Sequence, residues 1–138
     1  MSIYDVFSGG NRPFDKEEWA AAKQAQRKEA YELIDNTCSE MMASGDSFRQ
    51  YLDVQGRFDR YSVANAILVS AQMPEATQLK EYSKWKANRV YVNKDAQKII
   101  ILEPSKEYTR EDGTKGISYN AKVVYDISET SAKDRQQE

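Results

Sequence analysis

The chain has no histidine among its 138 residues, a single cysteine and three prolines. Each scarcity closes off a kind of chemistry. Without imidazole there is no H-E-x-x-H metal site and no Ser-His or Cys-His nucleophile pair. One thiol, Cys38, excludes an intrachain disulfide and a zinc cage built from cysteines. Neither G-x-x-x-x-G-K-[ST] nor G-x-G-x-x-G occurs, so no familiar phosphate loop is encoded. Carboxylates are plentiful, but none stands in a recognisable catalytic setting. By elimination the expectation is a binding module, not an enzyme, with no metal and no cofactor. No apolar run approaches the roughly 20 residues of a membrane-spanning helix. The opening MSIYDVFSGG lacks the basic and apolar regions of a secretory signal. A cytoplasmic protein with no membrane partner is the simplest expectation.

What is present is tyrosine and an uneven charge. Nine residues are Tyr, a side chain suited to surfaces half apolar and half wet. The net charge is −2, which by itself argues against nucleic acid. Residues 57–106, however, carry 9 basic and 5 acidic side chains, a block of +4, while residues 1–46 carry 5 and 9, giving −4. A polyanion responds to the local patch and not to the sum.

Hydrophobic spacing predicts helices first and strands second. Residues 1–13 read as a flexible arm. Asp15 is an N-cap with Glu18 three positions on, opening a long helix that runs to about Ser44, with Gly45 as its stop. Its weak, Ala-rich first half is expected to pack less firmly than the part from Ala30 onward. Asp46 or Ser47 should cap a second helix, with Phe48, Tyr51, Leu52 and Gln55 on one stripe. Ser62 should cap a third, reaching about Met73, and a short fourth should cover Leu79 to Lys86.

The period then changes to two. Val90–Val92 and Lys98–Leu102 are strand candidates, the latter bounded by Pro104. Lys106–Arg110 and residues 117–127 should form a hairpin around Glu111-Asp112-Gly113. In the last segment Ile117, Tyr119, Ala121, Val123, Tyr125 and Ile127 share one face. The fold class is α+β, N-terminal helices followed by a small antiparallel β-sheet. Residues 14–130 form the domain, and 131–138 a charged tail or linker.

Residues 60–77, RYSVANAILVSAQMPEAT, pose the functional question. Tyr61, Asn65, Leu68 and Gln72 fall at 0, +4, +7 and +11, one stripe of a helix that is otherwise apolar nearly all round. Buried amides need partners, since an orphaned one costs about 1–3 kcal/mol. Either these amides tie down neighbouring backbone, or they line a groove. Downstream, Tyr82, Lys84, Trp85, Lys86, Arg89, Tyr91 and Lys94 interleave cations with rings, the combination that holds single-stranded nucleic acid. Core packing for Trp85 and an ordinary solvated face for the lysines are the alternatives.

The run Phe58-x-x-Tyr61-Ser62-x-x-Asn65-x-x-Leu68-Val69-x-x-Gln72-x-Pro74-x-Ala76-Thr77 resembles the N-terminal domain of ArdC-like antirestriction proteins, including the LtrC-like proteins of conjugative elements. The resemblance continues through Trp85, Arg89, Val92, Ile99-Ile100-Ile101-Leu102-x-Pro104 and Val124-Tyr125-Asp126-Ile127-Ser128-Glu129-Thr130, covering about residues 46–130. It implies a single-stranded DNA-binding domain, often followed by a zinc metallopeptidase-like domain in a longer parent protein. At Lys94–Lys98 relatives usually show a glycine-containing turn that this chain lacks. The expected DNA contacts are Arg57, Arg60, Tyr61, Asn65, Gln72, Lys84, Trp85, Lys86, Arg89, Tyr91 and Lys94. Cations would meet phosphates, rings would meet bases, and amides would meet base edges or sugars. A protein-docking adaptor on the same fold is the rival, with the acidic first helix and Met41–Met42 as its contact surface.

Overall fold

The computed structural model describes residues 15–133. The expected arm, residues 1–13, and residues 134–138 of the expected tail lie outside them.

Helix α1 spans Lys16–Ala43. Asp15 caps it, its carboxylate accepting from the N–H groups of Glu17 (3.0 Å) and Glu18 (3.1 Å). The helix does not stop on glycine. Ser44 does both jobs at the junction: its N–H donates to Glu40 O, and its hydroxyl accepts from Ser47 N. Because Ser44 is extended (φ −141°), no left-handed residue is needed, and Gly45 becomes the first residue of α2, Gly45–Arg57. On α2, Tyr51 and Val54 face the core with Phe58 beyond, while Phe48 and Leu52 stay about half exposed instead of joining the buried stripe. Helix α3, Val63–Gln72, starts where expected, with Ser62 Oγ accepting from Asn65 N at 3.2 Å. It buries five consecutive residues, Ala66–Ser70.

Leu79 and Lys80 were expected to be helical. They form β1 instead, because they pair with Asp126 and Tyr125, and α4 is only Tyr82–Ala87. Strands β2, Ile99–Thr109, and β3, Lys115–Asp126, complete an antiparallel sheet in the order β1-β3-β2. Strand β2 runs through Pro104, whose missing N–H costs nothing on an edge strand; a register shift follows between Pro104 and Glu107. The two strands expected on either side of Pro104 are therefore one. Val90–Val92 is not a strand, and makes only a bridge from Val92 to Thr130.

The run Ile99–Leu102 is apolar without alternation because it is covered on both faces. Ile99 and Ile101 pack with Val124, Tyr51, Val54, Phe58, Ile67 and Val69. Leu102, pointing the other way, packs with Ala30 of α1 and Leu68, joined by Ile100, Leu33 and Ile34. Cys38 lies against the first of these clusters, partly buried. The buried residues of α1, Ala30 and Thr37, both lie in its second half. Along β3 the expected alternation runs past the core: Ile117 and Tyr119 are exposed, while near its end both Val124 and Tyr125 are buried.

Asp126 fastens this end of the sheet. Its carboxylate is 1% exposed. One oxygen accepts from Thr77 N (2.9 Å) and Gln78 N (3.0 Å), the other from Ser128 N (3.1 Å) and Ser128 Oγ (2.5 Å). A second, smaller core holds Trp85, Val90, Tyr125, Ile127 and Ala132. The tail expected from residue 131 thus begins with packed chain: Ser131 N donates to Tyr91 O, Tyr91 N donates to Ser131 Oγ, and Ala132 is buried.

Candidate nucleic-acid interface

The amides of the α3 stripe face β2. Asn65 Nδ2 donates to Leu102 O and Leu102 N donates to Asn65 Oδ1, both at 2.8 Å. Two helical turns on, Gln72 Nε2 donates to Ile100 O (2.8 Å) and Ile100 N donates to Gln72 Oε1 (2.9 Å). Each carboxamide presents a donor and an acceptor side by side, as a neighbouring strand would. Ile100 and Leu102 are alternate residues, so the groups they bond lie on the edge of β2 that β3 does not use. A helix thus completes the sheet edge through its side chains. Asn65 and Gln72 were expected to touch DNA. Their amides are committed here, and they leave the contact set.

Three further expected contacts are also committed to the fold. The Arg57 guanidinium donates to Ala76 O (3.0 Å) and to Pro74 O, tying the end of α2 to the loop after α3. Tyr61 is half buried with its ring 4.9 Å from that of Phe58. Burial pushes its phenol above the ordinary value, partly offset by the charge of Lys122. Trp85 is 2% exposed and donates Nε1–H to Tyr125 O at 2.9 Å, so it anchors α4 and is no stacking platform.

The other expected contacts are exposed: Arg60 between α2 and α3, and Lys84, Lys86, Arg89, Tyr91 and Lys94 on α4 and the segment after it. Tyr91 is 68% and Tyr82 55% exposed. From Tyr82 to Lys94 there are four cations and no carboxylate. None of those cations is in an ion pair among the described residues.

The chain turns sharply inside this stretch. Val90 N donates to Trp85 O and Arg89 N to Lys86 O, with Arg89 at φ 61°. This is a Schellman ending, which ordinarily places glycine where Arg89 stands. Among the described residues Arg89 is the one non-glycine with positive φ. The turn after Asn93, closed by Ala96 N to Asn93 O, has no residue with positive φ, so its backbone forms without glycine.

A second basic surface was not anticipated. Where the first half of α1 crosses the hairpin, a groove of about 540 Å3 is lined by Trp19, Lys23, Arg27, Glu103, Lys106 and Asn120, among others. Its signal in the sequence is the spacing of Trp19, Lys23 and Arg27 at steps of four, which places them on one helical face. At one end of it, Lys122 Nζ lies 2.6 Å from Glu81 and 3.4 Å from Glu103. The hydrogen bond from Lys122 holds the Glu81 carboxyl below its ordinary value. Burial alone would lower Lys122, but the hydrogen bond and charge of Glu81, with the charge of Glu103, outweigh it and raise the ammonium.

No protein-family model matches the chain, and no curated protein or solved structure does. Among the described residues no helix is long and apolar enough to cross a membrane, and no three carboxylate or thiol groups cluster as metal ligands would.

Proposed function

We propose that this chain is a single-stranded DNA-binding domain of the ArdC/LtrC-like kind, from a conjugative or other mobile element and with antirestriction as its setting. It acts in the cytoplasm by binding and not by catalysis. The observation that carries the reading is the stretch from Tyr82 to Lys94, with two exposed tyrosines, no carboxylate and four cations that are in no ion pair among the described residues. Cations of this kind follow phosphates, and exposed rings take unstacked bases. The contact set that remains is Arg60, Lys84, Lys86, Arg89, Tyr91 and Lys94, joined by Tyr82.

The test is titration of an oligothymidylate of roughly 12 nucleotides, within the usual single-domain site size, against a duplex of equal length. Micromolar binding to the single strand and weaker binding to the duplex are expected. Neutralising about four phosphates of a single strand gives a log–log salt slope near −3. Equal binding to duplex, or none to either at low salt, defeats the reading.

One observation favours a protein-docking role instead: Met42 (91% exposed), Phe48 (47%) and Leu52 (50%) are solvent-exposed apolar side chains around the α1–α2 junction. Such a contact would be nearly indifferent to salt, so the slope separates the two.

A further inference from the structure

The groove beside α1 joins the basic stretch. A second depression borders it, sharing Lys23, Glu103 and Ala121, and reaches Tyr82 at the start of α4. The two depressions are therefore parts of one trough, with Tyr82 and Ser83, where the basic stretch begins, at one end, the Glu81–Lys122–Glu103 ion pairs along it, and Trp19, Arg27 and Lys106 at the other. We propose that this trough is a continuous track for single-stranded nucleic acid and that its α1 end is a second subsite holding one nucleotide unit or more. The proposal rests on the DNA-binding reading above and extends it.

The residues at the α1 end suit that ligand. Lys23, Arg27 and Lys106 set three cations against one carboxylate, Glu103, which Lys122 already neutralises in part. Among the described residues neither the Arg27 guanidinium nor the Lys106 ammonium is in an ion pair or donates a hydrogen bond. Lys23 directs its ammonium to Ala121 O at 3.3 Å, which uses one of its three donors. The half-buried Trp19 ring stands one helical turn from Lys23 and two from Arg27, so a flat base against the indole would bring its phosphate to the cations. Asn120, across the groove, offers both a donor and an acceptor to a base edge or sugar. An aromatic face, phosphate-seeking cations and an amide fit a nucleotide better than they fit a simple anion.

The protein has two tryptophans, one in each environment, so 5-fluorotryptophan labelling gives one fluorine resonance for Trp19 and one for Trp85. On titration with an oligothymidylate of roughly 12 nucleotides, the Trp19 resonance should move and that of buried Trp85 should stay. Arg27→Glu and Lys106→Glu should each weaken binding about tenfold at low salt, as expected where a phosphate contact becomes a repulsion. If the oligonucleotide binds but Trp19 stays still and both variants bind like the parent, the subsite is overturned and the DNA-binding reading stands. If the parent chain does not bind, both fall. If polyglutamate moves Trp19 and competes as well as the oligonucleotide, the groove is a general polyanion site and the nucleotide assignment is overturned.

Discussion

Asn65 and Gln72 each complete two hydrogen bonds to the edge of β2, whereas between Tyr82 and Lys94 no cation is in an ion pair among the described residues. Both regions look like binding surfaces in the sequence: polar groups at regular spacing beside apolar ones. The difference lies in what the fold itself offers them. An edge strand presents N–H and C=O groups that must be satisfied, and α3 supplies two carboxamides at the right height to do it. Segment 82–94 packs only its apolar side, through Trp85 and Val90, against the chain, and its cations are exposed, so their charges stay available to an outside partner. The same division runs through the residues that carry the family resemblance. Phe58 and Tyr61 stack, Ser62 caps α3, Leu68, Val69 and Ala76 are fully buried, and Trp85 anchors α4. Such a motif specifies an architecture, and the exposed cations beside it are what must be tested for function.

The contrast breaks most visibly at Asp126, the most committed polar group. Asp126→Ala removes a buried acceptor of four hydrogen bonds and orphans the N–H groups of Thr77, Gln78 and Ser128. A loss of about 3–5 kcal/mol is expected, at the upper end for single substitutions. Urea unfolding monitored by tryptophan fluorescence would show it. A loss below about 1 kcal/mol would mean that the 77–78 loop is held by something else.

Next come the seam amides. Asn65→Ala leaves Leu102 N–H and C=O without their partner, and Gln72→Ala does the same at Ile100. Each should cost about 2–3 kcal/mol, since two backbone groups are orphaned in a part-buried site. Oligonucleotide affinity, corrected for the folded fraction, should stay within about twofold of the parent. Lys84→Ala and Lys86→Ala should do the reverse, with stability within about 0.5 kcal/mol and affinity reduced. If either amide variant is stable and binds poorly, the seam belongs to the interface after all.

Which features could be read from the sequence follows from how local their causes are. Asp15 and Ser62 act on N–H groups two or three residues away, so both helix starts were legible. The hairpin of β2 and β3 was legible from its turn and its period of two. Gly45 was misread because the break before α2 is made by the extended Ser44 and needs no glycine. Leu79 and Lys80 are strand only because Asp126 and Tyr125 lie beside them, more than forty residues away in sequence. Trp85 reads as a stacking ring until Tyr125 O supplies its indole with a partner. The α1 groove depends on how a helix crosses a hairpin; Trp19, Lys23 and Arg27 announce a shared face but not what it faces.

The smallest expected effect sits at the one residue where both regimes meet. Arg89 ends α4 in the left-handed conformation, where a side chain is strained and glycine is not. Its charge meanwhile belongs to the exposed basic stretch. If folding alone had chosen this position, glycine would serve better. A strained residue that persists points to a use for its side chain. Arg89→Gly should therefore stabilise the domain, by about 0.5–1 kcal/mol, because relief of the left-handed strain outweighs the extra freedom of glycine in the unfolded chain. The same change should weaken oligonucleotide binding and flatten the log–log salt slope by about 0.7, one phosphate contact fewer. Arg89→Ala keeps the strain and loses the charge, so it should match the glycine variant in affinity while falling below it in stability. Denaturant midpoints and salt titrations of the two variants separate strain from charge. If Arg89→Gly gains stability and binds with an unchanged slope, Arg89 is not a phosphate contact and the interface must be drawn from Lys84, Lys86 and Lys94 alone.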